Sequence, residues 1–313
     1  MAKIAVNGNT AYETLLVVQN NLKDCLSTSN DWEINVSYIV NDIKEQLGGN
    51  ALNISYNLAL LWIKPKLFSA VWNDFIFPRF FEEYVDLSSV YFSRTNKTAK
   101  MFISTDEQKS HISAFYLWAI LDSDKIACNV SEKFDYAIVS ANSVKSMLEK
   151  LEAFKKSQAK IFFDPGSQVI QMSKSEILKA FSLSNYLIVN KHEFEIIKRI
   201  SEMTDSEIIE SFEKIIITYW LKWSKIFDNN YFLDEIEGVE NQNEIDSTWC
   251  SDAYRAGLIY GLTKWYTWKS SARLWAVLAS VCAGYVGSQN HKIDEEGLEK
   301  LYVDTFGEEI EKD

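Results

Sequence analysis

Apolar runs of four or five residues, bounded by polar or turn-forming positions, alternate along this chain with longer segments whose apolar residues return every three or four positions. The short runs predict buried strands and the longer period predicts amphipathic helices. Strands are expected at Ile4–Asn7, Leu67–Val71, Tyr136–Ser140, Lys160–Phe163, Tyr186–Val189 and Ile215–Thr218. Helices are expected at Asn50–Leu61, Phe75–Tyr84, Val144–Ser157, Ser173–Phe181 (capped by Ser173), Glu193–Ser201, Asp252–Leu262, Ser270–Tyr285 and Asp294–Phe306. Such alternation argues for an α/β fold, a mostly parallel sheet covered by helices. Two segments break the pattern. Thr14–Val40 and Thr98–Tyr116 alternate with period two, as in Lys100–Thr105, and suit a small β lid over one end of the sheet. The charged tail Glu308–Asp313 is expected to fray.

With 313 residues, 47% of them hydrophobic, the chain can bury a full core as one large domain. A net charge of −12 argues against broad binding to nucleic acid or an anionic membrane. No run of about 18 apolar residues marks a membrane span. The N-terminus enters a strand directly, without the pattern of a secretory signal, so a cytoplasmic location is expected. Cys25, Cys128, Cys250 and Cys282 are scattered and expected to be reduced thiols, and His111, His192 and His291 lie too far apart to suggest zinc.

Candidate chemistry lies in three places. Asp246-Ser247-Thr248-Trp249-Cys250-Ser251-Asp252 leads into an apolar helix, so Asp252 falls in a first turn, where free N–H groups and the dipole favour a transferring phosphate. Asp252 could be a general base for an alcohol, or an acidic residue compensating the dipole. Gly48-Gly49-Asn50-Ala51-Leu52-Asn53 precedes another helix. Paired glycines let backbone pass close to a ligand, and Asn53 can bond sugar hydroxyls, although two glycines before a helix also make an ordinary turn. Asn190 and Glu193, three apart at a strand-to-helix junction, suit either a hydrated Mg²⁺ or a capping box.

Gly is scarce, at 11 residues, and Trp is abundant, at 10. Several tryptophans stand where glycine is expected: Trp62 after a helical run, Trp72 before Asn73-Asp74 in an expected turn, Trp220 and Trp223 in an expected hairpin, and Trp249 ahead of Asp252. UGA is read as tryptophan in one variant genetic code and as glycine in another. Translation under the wrong table would put Trp at each UGA-coded glycine, and 27 Lys against 5 Arg fits an AT-rich genome. Genuine tryptophan is the alternative.

Taken in order, Gly48-Gly49…Asn53, Asn190…Glu193 and Asp252 resemble the motifs of the ribokinase (PfkB) family of carbohydrate and nucleoside kinases, over nearly the whole chain. With Trp read as Gly, Asp246–Asp252 resembles that family's Asp-Thr-Thr-Gly-x-Gly-Asp, the segment around Trp220 and Trp223 its Gly-x-x-Gly turn, and Trp72-Asn73-Asp74 its Val-Gly-x-Asp. Ala11-Tyr12-Glu13-Thr14, Asn35-Val36-Ser37, Phe163-Asp164-Pro165-Gly166 and Gly287-Ser288-Gln289-Asn290-His291 are similar to its bacterial adenosine kinase-like branch. The resemblance implies a single ribokinase-like three-layer α/β/α sandwich over 1–313, its lid formed by about 14–45 and 97–118, and phosphoryl transfer from Mg-ATP to a nucleoside hydroxyl, most readily adenosine. It implies Asp252 as base, N–H groups of Trp249, Cys250, Ser251 and Asp252 as the anion hole, and Glu13, Gly48, Gly49 and Asn53 on the ribose. It further implies Glu193 and Asn190 at Mg²⁺, and Asn190, Thr218, Trp220, Asn290 and Arg255 bordering the nucleotide, with a homodimer through the lid. Two departures stand out: Glu13 replaces an aspartate, and Ser251 replaces the second glycine of the anion hole. A sugar kinase on the same fold, or a silent nucleoside-binding protein if Trp249 is genuine, are the other readings.

Overall fold

The computed structural model describes residues 2–25, 37–108, 110–129, 131–219, 223–228, 231–245 and 250–313. Trp32, Asn35, Val36, Trp220 and the lead-in Asp246–Trp249 therefore lie outside the described residues. A central sheet of eight strands runs in the order Tyr231–Glu237, Trp223–Asp228, Lys214–Thr218, Tyr186–Asn190, Lys160–Asp164, Tyr136–Ser140, Ile4–Asn7, Lys66–Phe68. From Lys66–Phe68 to Lys214–Thr218 the pairing is parallel, and the last two strands are added antiparallel. The parallel strands read as unbroken apolar runs because both faces are covered.

Alternate residues of these strands feed two separate cores. Ile4, Val6, Ile138, Phe162, Ile188 and Ile216 pack with helices Asn50–Leu60, Cys250–Thr263, Trp268–Ala283 and Glu295–Phe306. Ala137, Val139, Phe163, Leu187, Val189 and Ile217 pack on the other face with helices Val144–Lys156, Lys174–Leu183, Lys191–Ser201 and Asp205–Glu210. The result is the three-layer α/β/α sandwich of a ribokinase-like fold. A second sheet, in the order Val40–Gly48, Ala11–Val18, Ala99–Thr105, His111–Tyr116, stands apart from the first.

Several boundaries differ from expectation for local reasons. The expected helix Phe75–Tyr84 is only Arg79–Tyr84, because Pro78 caps it and holds the residue before it extended. Phe75 and Phe77 still reach the core as loop residues. The expected strand Leu67–Val71 is two strands, Lys66–Phe68 in the main sheet and Ala70–Trp72 paired with Tyr91–Ser93. Trp72 is the last residue of that strand and opens the expected turn, its carbonyl accepting from the Phe75 N–H at 3.0 Å. Within the extended segment Thr14–Val40 a short helix, Leu22–Cys25, intervenes. Ser270 lies inside its helix, which starts at Trp268 under a cap from Thr267. Ser173 does cap its helix, with Glu176 completing the box.

Helices Cys250–Thr263 and Trp268–Ala283 pack closely through small residues. A Cβ on Gly257 would lie 2.8 Å from Trp275 Cα, and one on Gly261 2.6 Å from Ser271 Oγ and 2.8 Å from its Cα. Gly261→Ala is therefore expected to lower stability by about 1–3 kcal/mol, as overpacking does. Denaturant titration checks this, and an unchanged midpoint would contradict the close approach.

Candidate active site

Five parallel strands end in a polar residue after an apolar run: Asn7, Ser140, Asp164, Asn190 and Thr218. Because the strands are parallel, these side chains collect at one edge of the sheet, the carboxyl edge where open α/β folds hold their ligands. Helix Cys250–Thr263 starts over this edge, as its contact with Asp164 shows. Arg255 donates from Nε and Nη2 to the two carboxylate oxygens of Asp164, each at 2.5 Å, and from Nη1 to the Ser251 carbonyl at 2.7 Å. Ser140 Oγ also donates to Asp164.

Asp252, in the first turn of that helix, is buried, and Asn53 Nδ2 donates to its Oδ2 at 2.9 Å. Asn53 Oδ1 in turn accepts from Gln289 Nε2 at 2.7 Å. Helix Asn50–Leu60, which carries Asn53, begins at Gly49 with φ of 92°, where a Cβ would lie 2.6 Å from the Asn9 carbonyl. Glu13, from the second sheet, accepts from the Gly49 N–H at 3.0 Å and from Gln46 Nε2 at 3.1 Å. A Cβ on Gly48 would fall on the Glu13 carboxylate. Glu13 thus meets this helix at its N-terminal cap, and Asp252 meets it at Asn53, one turn further on.

Burial sets the electrostatics. Desolvation pushes the Asp252 carboxyl up to about 7, against opposing pulls from Arg255 and the Asn53 hydrogen bond. Burial likewise raises Glu193, and the facing carboxylates raise Arg255 against desolvation. Asn190 and Glu193 form a reciprocal cap, Glu193 N–H to Asn190 Oδ1 at 2.8 Å and Asn190 N–H to Glu193 Oε2 at 2.9 Å. Among the described residues no three His, Cys, Asp or Glu side chains converge on a metal position. Asn190 lines a cleft, with Glu193 buried beside it, and carboxylate and amide oxygens are ligands that a hydrated Mg²⁺ accepts. That cleft, of about 510 Å³, is lined by Asn190, Thr218, Trp223, Cys250, Ser251 and Arg255 among others.

The family model for pfkB carbohydrate kinases matches residues 13–295. The chain belongs to that family. Its members transfer phosphoryl groups, so this protein is a phosphotransferase. It is 26% identical over 297 residues to the nucleoside kinase of Methanocaldococcus jannaschii, covering 93% of each chain. It is 25% identical to that of Methanothermobacter thermautotrophicus, covering 88% and 91%. Among solved structures, Burkholderia thailandensis nucleoside kinase in complex with inosine superposes with a TM-score of 0.89 at 21% identity over 99% of both chains. The same enzyme in complex with ADP-inosine gives 0.85 at 22% identity over 100% of this chain and 98% of that one. These two likenesses establish the fold.

Within this pfkB kinase the expected site residues divide. Glu13, Gly48, Gly49, Asn53 and Asp252 are contiguous, as are Asn190, Thr218, Cys250 and Ser251 around the cleft. Asn290 does not line the cleft; it donates to the Val286 carbonyl at 2.7 Å and lies beside Gly287, which Gln46 also approaches. Gln46, Asp164 and Gln289 were not foreseen as site residues. Asp164 and Gln289 fell within the quoted motifs Phe163–Gly166 and Gly287–His291 without being given a role, and nothing local marked Gln46.

The Asp252 carboxyl also links the site to stability. Below its unfolded pKa, 3.8, it is protonated in both states and its contribution is whole. As pH rises toward about 7 the unfolded chain ionises first, so stability is lost, and the loss is complete above the folded value. Asp252→Asn should therefore stabilise the protein at pH 8, on the order of 1–4 kcal/mol, and change little near pH 4. Urea titrations at the two pH values check the sign.

Proposed function

We propose that this protein transfers the γ-phosphoryl group of ATP to the 5′-hydroxyl of a purine nucleoside, adenosine in the first instance. The observation that carries this reading is the hydrogen-bonded run Gln289–Asn53–Asp252, with Glu13 anchored on Gly49 at the start of the same helix. A nucleoside with its ribose on Glu13, Gly48, Gly49 and Asn53 would bring its 5′-oxygen to Asp252. A carboxyl group poised near 7 is suited to accept the hydroxyl proton at neutral pH. N–H groups at the start of helix Cys250–Thr263 are suited to charge on the group in flight, and Trp249 would belong to that turn. The cleft at Asn190, Thr218 and Trp223 is sized for the nucleotide. Asn190 and Glu193 would hold the waters of Mg²⁺, which neutralises phosphate charge when bound. The second sheet would act as the lid over the acceptor, and its exposed Ile43, Phe102 and Phe115 support pairing with a second copy.

The relatives named above are nucleoside kinases, and the inosine complexes of the Burkholderia enzyme favour a purine nucleoside over a free sugar. The test is ADP release from Mg-ATP with adenosine, inosine, ribose and fructose. It is run on the chain as written and on one carrying Gly at 62, 72, 220, 223 and 249, where glycine is expected, and at three further tryptophans, 118, 265 and 275. Turnover with a nucleoside is expected in the glycine chain, and Asp252→Asn should lower it by about 10²–10⁴-fold while ATP still binds. Turnover with ribose or fructose alone would move the reading to a sugar kinase. Absence of turnover in both folded chains would point to a silent binding protein.

A further inference from the structure

We propose that Arg255, clamped by Asp164, is a positioning residue that fixes the first turn of the Asp252 helix and supplies the buried positive charge acting on the Asp252 carboxylate. This rests on the reading of Asp252 as the base. Arg255 lies one turn after Asp252, and both are buried. Its guanidinium spends two donors on Asp164 and a third on the carbonyl of Ser251, the residue preceding the base. Asp164 is in turn held by Ser140 from the neighbouring strand. The helix start is therefore tied to two strand ends through one planar fork, a geometry that lysine cannot reproduce. The groups acting on Asp252 are Arg255 from its own helix, Asn53 from helix Asn50–Leu60, Asp164 from its strand end and Cys282 from helix Trp268–Ala283. Glu193, from the start of helix Lys191–Ser201, also acts on Arg255 and Asp164. Arg255 lowers the Asp252 carboxyl and Asp164 raises it.

Opposite signs follow. On the chain that turns over with nucleoside, Arg255→Met should move the acid limb of kcat/KM upward by about one pH unit or more. Asp164→Asn, which leaves the guanidinium to act on Asp252 undiluted, should move it downward. Arg255→Met leaves a buried carboxylate unpaired and is vulnerable to misfolding. The double variant Asp164→Asn/Arg255→Met removes both charges and should still show the upward shift, because Arg255 acts more strongly than Asp164. Acid limbs unmoved in the folded variants would overturn the inference, since a merely structural pair lowers activity without moving the limb. If Asp252→Asn itself keeps turnover, the base reading fails instead.

A separate set of observations bears on the tryptophans. We infer that glycine is the native residue at positions 62, 265 and 275. Trp62 and Trp265 have φ of 59° and 62°, two of four non-glycine residues in the left-handed region among those described. Each sits one past a helix cap. Trp62 N–H bonds the Ala59 carbonyl while Ile63 N–H bonds Leu58; Trp265 N–H bonds Leu262 while Tyr266 N–H bonds Gly261. That crossed pair is the Schellman motif, whose left-handed position is glycine's. Gln158 and Glu202, also exposed, occupy left-handed positions too, and Gln158 closes the same crossed pair, so what sets the tryptophans apart is a large indole left 60% and 76% exposed, with little packing to offset the backbone. Trp275 is the opposite case. It lies where two helices come closest, fully buried, its Nε1 without a partner and its ring centroid 3.1 Å from that of Tyr254. Aromatic pairs normally keep about 4.5–7 Å. Trp72 and Trp223, in strands, and Trp118, in a 3-10 helix, carry no such backbone signal.

Trp275→Gly decides the sign. Emptying a genuine buried tryptophan site should lower the melting temperature by many degrees. If glycine is native, Trp275→Gly should raise it, and Trp62→Gly and Trp265→Gly should raise it further. A lowered value for Trp275→Gly, or tryptophan in the peptide covering 275 from protein purified out of its own cells, overturns the inference.

Discussion

Burial of charge at one edge of the sheet is the constraint on which the rest depends. Asp164, Glu193, Asp252 and Arg255 are all nearly or wholly withdrawn from solvent, three carboxyl groups to one guanidinium. Isolated ions in such a place would cost several kcal/mol each. They are tolerated because the strand ends and helix starts supply partners: a two-pronged ion pair for Asp164, a reciprocal cap for Glu193 and the Asn53 amide for Asp252. The parallel sheet makes this possible, since only parallel strands deliver their last residues to a single edge. The surplus of negative charge is also what a cation-bearing nucleotide would relieve.

The same desolvation that weakens the fold serves the chemistry proposed for it. An aspartate in water is a poor base at neutral pH, and burial without full compensation raises its proton affinity toward the working range. The partners that limit the rise hold the carboxylate in place, so orientation and basicity come from the same contacts. Stability lost at Asp252 is thus localised on a helix packed into the core on one face of the sheet. Functional sites commonly store such strain.

Much of the scaffold was legible in the sequence because it is written locally. Apolar runs such as Ile215-Ile216-Ile217 and caps such as Ser173 and Asn190 announce themselves within a few positions. Of the two readings of Asn190 and Glu193, the structure shows the cap, which takes the single side-chain oxygen of Asn190 and one of the two on Glu193. Long-range partners were invisible. Gln289 meets Asn53 across 236 positions and Arg255 meets Asp164 across 91, and no local spacing encodes either. Phe75–Tyr84 misled because its apolar period ignored Pro78. Trp62 shows the converse: a helix-ending position legible from the pattern alone, occupied by a residue that its backbone disfavours.

The account turns on the Asp252 carboxyl, and its titration can be observed without turnover. Carboxyl ¹³C spectra of the protein and of Asp252→Asn, recorded across the pH range and subtracted, isolate that one group. The account predicts a midpoint near 7, set by burial. A midpoint near the ordinary aspartate value of about 4 would mean that the group is solvated and that the buried charge cluster does not prepare it as a base.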